Sequence, residues 1–200
     1  FALAALEERF PDYAALLDPS PVSMAAIQAL LRPGEALISV HVGADRSIVW
    51  AVPAHGAPAF AVVPLATGQL ALSVQALRAS LDPDMEAAGG LPDFPFDVGH
   101  QLYAGFLAPV ERAWKGAREL IIVPHGALDQ LPLAVLTTAP FQAERAAGNG
   151  DWMAMAPWLI KEVAISRLPA VMALQGLRSR PQGPAAARAF IGFGDPVFSA

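Results

Sequence analysis

Histidine, serine and the carboxylates carry whatever chemistry this chain holds, because its 200 residues include no cysteine. That zero excludes a thiolate nucleophile, a cysteine zinc site, an iron–sulfur cluster and a disulfide framework from these residues. The histidines are His41, His55, His100 and His125. No two stand at a metal-ligand spacing such as H-x-x-x-H, so neither metal nor cofactor is expected. His41 alternates onto the strand face opposite Ile38 and Val40 and reads as a polar, partly exposed residue. His55, beside Gly56 in a hairpin loop, and His100, near a helix start, read as solvated. His125 carries more, because it directly follows a short apolar run, and open α/β sheets hold their sites beyond the carboxyl ends of strands. The plainer alternative for His125, a turn residue before Gly126, stays open beside it.

Other constellations are incomplete. No G-x-S-x-G elbow is present, and Ser80, Ser166 and Ser179 lack the strand-turn-helix setting that projects a nucleophilic hydroxyl. Gly192-Phe193-Gly194-Asp195-Pro196 opens like a dinucleotide fingerprint, but Pro196 and the missing third glycine spoil the phosphate-binding helix start. A Walker A sequence is absent. Glu7-Glu8 and the Asp82, Asp84, Glu86 group read as solvated charge. Trp50, Trp114, Trp152 and Trp158 are scattered, so each belongs by default to the core or its margin.

Positioning such residues requires a folded body, and the composition supplies one. Apolar residues make up 54 % and charged residues 16 %, which argues against intrinsic disorder. With a net charge of −5 and no run of Lys or Arg, capture of nucleic acid or of an anionic membrane surface has no support. No apolar run reaches the roughly 20 residues needed to span a bilayer. Glu7, Glu8 and Arg9 follow closely on Phe1, so no export signal is in view, which favours the cytoplasm without fixing the compartment.

Apolar positions at Leu3, Leu6, Phe10, Leu16 and Leu17 predict helical turns broken at Pro11, and a second short helix is signalled over Ser23 to Leu31. From Ala36 the period becomes two: Ile38–Val42, Ile48–Val52 and Phe60–Leu65 read as an antiparallel meander. Leu70, Val74, Leu77 and Leu81 define a helix with Thr67 as its expected N-cap. Asp97 is the expected cap of the next, which carries Val98, Leu102 and Phe106, and Pro109 either kinks that helix or starts a new one. Leu120–Val123 is the apolar run of a strand buried on both faces. Beyond it the pattern predicts a short helix over Leu131–Leu136, a strand over Trp158–Ile165, a helix over Pro169–Leu177 and a last buried strand over Ala189–Phe193. Alternation of strand and helix in this half favours an α/β sheet covered by helices.

Three passages then stand out together: LIIVPHGALDQLPLAVL from Leu120, WLIKEVAISRLPAVMALQGLR from Trp158 and AFIGFGDPVF from Ala189. In this order they resemble the CHAT domain, a caspase-like domain often joined to tetratricopeptide repeats, whose strand, Pro-Asp-Gly, Leu-Pro-Phe turn, Ile-Ser-x-x-Pro-Ser segment and Gly-Asn/Asp-Pro follow one another likewise. LLRPGEALISVHVGADRSIVWAV from Leu30 and LYAGFLAPVERAWKGARELIIVP from Leu102 resemble its earlier parts. His125 stands where the family commonly has Asp, Leu133 where Phe is usual and Ala170 where Ser is common. The resemblance implies a helical connector over residues 1–34 and the amino-terminal part of the domain over 35–200. The fold class expected is α/β, a β-meander plus helices leading into a caspase-like α/β/α sheet incomplete at its carboxyl end. It further implies a parent cysteine endopeptidase of clan CD acting on a peptide or protein substrate, with attached tetratricopeptide repeats as an associated partner. The family's catalytic His and Cys motifs lie beyond the Gly-Asp-Pro segment, so no residue here inherits a catalytic role. Asp195, at the carboxyl edge of the expected last strand, is the one candidate substrate-binding residue, as a rim group that attracts basic side chains. A non-catalytic CHAT-like interaction module is the other reading.

Overall fold

The computed structural model describes residues 22–81, 94–142 and 152–179. Expectations for residues 1–21, the acidic group at 82–86, the strand over Ala189–Phe193 and Asp195 lie outside the described residues. What is described builds one open, mixed sheet with helices on both faces, as the α/β reading requires.

Helix α1 (Met24–Leu30) starts on Ser23, whose hydroxyl oxygen accepts the Ala26 N–H at 3.2 Å. The meander follows as β1 (Glu35–Val42), β2 (Ser47–Pro53) and β3 (Ala59–Val63), paired antiparallel in sequence. Next come α2 (Thr67–Ala79) and α3 (Phe96–Phe106), then a 3-10 helix over Ala108–Ala113. Pro109 sits in its first turn, where a missing N–H costs nothing. Strand β4 (Glu119–Val123) pairs with β1, one edge of the meander, and does so in parallel. Strand β5 (Ala164–Arg167) adds to β4 in parallel, giving the order β3-β2-β1-β4-β5. A short helix α4 (Trp152–Met155) precedes β5, and α5 (Val171–Ser179) follows it.

Period-two alternation decides which helices each strand meets. Ala36, Ile38 and Val40 of β1 share a face with Val49 and Ala51 of β2 and with Leu120 and Ile122 of β4. All are buried, beneath Leu70, Val74 and Leu77 of α2, Leu102 and Phe106 of α3 and Val110 of the 3-10 helix. On the opposite face Leu37, Val52 and Ile121 pack under Ile27 of α1 and Leu174 of α5. The cover is partial: Phe60 and Val62 on edge strand β3 are each 51 % exposed, beside half-buried Trp50 and Ile48.

Several local expectations are corrected. Thr67 is the first helical residue, not the N-cap; Ala66 holds that place, and the Thr67 hydroxyl donates to the Gly43 carbonyl at 2.8 Å, tying α2 to the β1–β2 turn. Pro95 precedes α3 in the cap position, leaving Asp97 in the first turn, where its charge suits the helix dipole. The helix expected over Leu131–Leu136 is reduced to a single 3-10 turn, Leu133–Val135, with Pro132 in the cap position. It is separated from the preceding 3-10 turn, Gly126–Gln130, by Leu131 and Pro132 in extended backbone. The strand expected from Trp158 begins only at Ala164, because Leu159–Lys161 forms a 3-10 turn that buries Leu159.

Candidate functional site

Parallel strands β1, β4 and β5 end on the same side of the sheet, and the side chains gathered at those carboxyl ends are the candidate site. His125 follows β4 by way of Pro124. Its neighbour Gly126 has φ +62°, a left-handed conformation that L side chains rarely adopt, and this turns the chain into the Gly126–Gln130 3-10 turn. The ring of His125 reaches back to β1, where its Nδ1 accepts the Val42 backbone N–H at 3.1 Å. A ring nitrogen that accepts carries no proton, so the neutral imidazole holds its proton on Nε2. His41 stacks on it, with ring centroids 4.8 Å apart and planes 29° from parallel.

Sequence reasoning treated those two histidines separately, and the fold makes them a pair. They are joined by the β1–β4 register, in which Ser39 lies opposite Val123. Beyond them, Arg167 at the end of β5 donates to the Asp129 carbonyl at 2.5 Å and meets its carboxylate at 3.3 Å. A groove of about 410 Å³ lies alongside, lined by Val74, Gln75 and Arg78 of α2 and by Ala127 and Gln130. At the opposite, amino ends of the strands, a cleft of about 310 Å³ is bordered by Glu35, His55, Arg112, Trp114 and Lys115.

The remaining candidates are dispersed. His55 is exposed in its turn. His100 is packed, not solvated: it is half-buried, and its Nδ1 lies 3.1 Å from the Thr137 carbonyl, which can only accept, so that nitrogen carries the proton. The Ser80 hydroxyl donates to the Leu77 carbonyl and that of Ser166 to the Glu119 carboxylate. Neither serine meets a histidine in these bonds. Among the described residues no group of three or more His, Asp and Glu is placed to hold a metal ion. Within the same residues no helix is long and apolar enough to cross a membrane. The edge can therefore position and recognise, but these bonds complete no nucleophile–base couple.

Charge is most strongly coupled away from this edge. Tyr103 donates to Glu111 at 3.1 Å, and Lys115 bridges Glu111 at 2.9 Å and Glu162 at 3.3 Å. Burial, then the bond to Glu111, pushes the Tyr103 phenol up to about 12 from 10.0. The bond to Glu111 raises Lys115 to about 12 from 10.5, and Lys115 in turn holds Glu111 below 4.5. Between pH 10 and 12 the unfolded chain releases protons that the fold retains, so this contribution is complete below pH 10 and is lost as pH climbs through about 12. Tyr103→Phe is expected to shallow that alkaline decline. Urea midpoints of both proteins across the interval check it, and parallel declines would show that Tyr103 does not carry the effect.

Comparison with known proteins adds one match: the family model described as CHAT domain fits residues 97–200. Neither curated proteins nor solved structures provide a match. The matched range takes in α3, β4, β5 and α5, whereas β1, which carries His41, precedes it and still occupies the middle of the same sheet.

Proposed function

The chain belongs to the CHAT domain family, related to caspase-like peptidases, and from that premise we propose that it is the amino-terminal scaffold of a cysteine endopeptidase whose catalytic His and Cys lie downstream of Ala200. The family match over residues 97–200 carries this reading. It is supported by the sheet, whose parallel strands β1, β4 and β5 bring their carboxyl ends together, as ligand sites in open α/β sheets require. In such an enzyme a thiolate attacks the peptide carbonyl, an imidazole moves the proton and backbone N–H groups hold the oxyanion. These 200 residues contain no Cys, so their part is to build and orient the edge against which that machinery closes. The substrate is a peptide or protein, Asp195 is a rim group favouring basic side chains, and attached tetratricopeptide repeats are the associated partner.

A second reading, a non-catalytic interaction module, draws on the apolar strip of Ile48, Trp50, Phe60 and Val62 that α1 and α5 leave uncovered. Sequencing the coding region past Ala200 and expressing the longer protein separates the two. The peptidase reading expects a His and a Cys in the family's motifs, cleavage within a peptide library and loss of that cleavage when the Cys becomes Ala. A continuation without that pair would remove the peptidase and leave the module.

A further inference from the structure

We propose that His125 is a positioning residue, an acid-sensitive clamp that holds the carboxyl end of β1 against the segment leaving β4. The proposal begins with strand lengths. β1 spans eight residues and β4 five, and their parallel ladder stops at Ser39 opposite Val123. Past that point β1 continues to Val42, and among the described residues only β2 pairs with it as a strand. Val42 is buried, and its N–H would face the vacant side of the ladder without an acceptor. Leaving a buried donor unsatisfied is costly. The His125 Nδ1, at 3.1 Å, takes the place of the missing carbonyl.

An imidazole serves as that acceptor in one protonation state only. A proton on Nδ1 sets donor against donor at the Val42 N–H, and the bond is lost. His41 faces the same ring, with centroids 4.8 Å apart. Charged groups on the elements meeting here are Asp45 and Arg46 in the turn after β1, Asp129 in the turn after β4, Arg167 at the end of β5 and Arg78 on α2. Asp129 is engaged by Arg167, and Arg78 donates to Gln130. The clamp is therefore closed on the neutral ring and opens when Nδ1 takes up a proton. Opening frees the end of β1, the adjoining turn and the His125 segment from one another. Only the value of this to catalysis rests on the peptidase reading; the clamp is a property of the described fold.

Amide hydrogen exchange on the 200-residue chain tests it. Corrected for intrinsic exchange, protection of the Val42 amide is expected to fall about tenfold or more between about pH 8 and pH 5, while that of Ile38 within the ladder holds. His125→Asn supplies a side-chain carbonyl that accepts without titrating, so its Val42 protection is expected to stay level; in His125→Ala it is low throughout. Nitrogen shifts of the His125 ring give a second measurement on the unaltered chain, with the proton expected on Nε2 near pH 8. Val42 protection that does not change with pH, the same fall in His125→Asn, or a ring proton on Nδ1 near pH 8 would each overturn the clamp. None of these readouts uses proteolysis, so a failed clamp and a failed peptidase reading are told apart.

Discussion

Replacing Trp114 with Ala is expected to cost the fold about 4 kcal/mol, within the range for deleting a buried indole. Trp114 closes the 3-10 helix over Ala108–Ala113, is 2 % exposed and belongs to the larger of the two cores. Its Nε1–H donates to the Leu107 carbonyl at 2.9 Å, and its ring meets Tyr103 edge to face at 6.4 Å. Truncation therefore removes the packing of a large ring and also strips a buried carbonyl of its donor. Trp114→Phe keeps one aromatic ring in place while the donor and the rest of the indole go, for an expected cost of about 1–2 kcal/mol. Urea unfolding should show a lower midpoint with an unchanged slope, since the surface exposed on unfolding stays nearly the same. A loss below about 1 kcal/mol for Trp114→Ala would mean that the site collapses around the deletion and that this indole does not organise the α3–β4 connection.

Local periodicity made β1, β2 and β3 legible, because Ile38, Val40, Ile48, Trp50 and their neighbours alternate between turn-forming residues. Leu120–Val123 was legible for a different reason, being a short apolar run closed by Pro124. What period and composition do not encode is which strands become neighbours. The meander and the later α/β half read as successive parts, yet β4 inserts beside β1 and makes them one sheet. That pairing sets Ile38 opposite Ile122, far apart in the chain, and its specificity lies in two-faced burial. The His41–His125 stack was invisible for the same reason, since it is a consequence of register. Around Trp158 the misreading was avoidable. Leu159 and Val163 are both buried and four apart, a helical spacing, and the strand starts only after them. Family membership rested on several motifs in fixed order, whereas Asp195, the one substrate-binding candidate drawn from them, lies outside the described residues.

Arg178→Met is expected to destabilise the chain by about 3 kcal/mol, through the charge it leaves behind more than through the contact it removes. Glu35, the first residue of β1, is 8 % exposed. Its carboxylate accepts Arg178 Nη2 at 2.7 Å on Oε1 and 2.8 Å on Oε2, with the Arg32 backbone N–H at 2.8 Å on Oε2. Arg178 stands in the last turn of α5, so the pair ties the helix covering one sheet face to the start of the central strand. Its attraction is largely offset by desolvation, and the Arg178 Nε adds to that cost, being buried without an acceptor among the described residues. Glu35→Leu leaves a guanidinium in a side chain still 20 % exposed, which water reaches more readily, and is expected to cost less, about 1–2 kcal/mol. Combining Glu35→Leu with Arg178→Met removes both charges and should restore the chain to within about 1 kcal/mol of the original. Urea denaturation of the three variants near neutral pH reads the coupling directly. Single-variant losses that simply add in the double variant would show that the two side chains act independently, and that α5 is held to the sheet by Leu174 and its apolar neighbours alone.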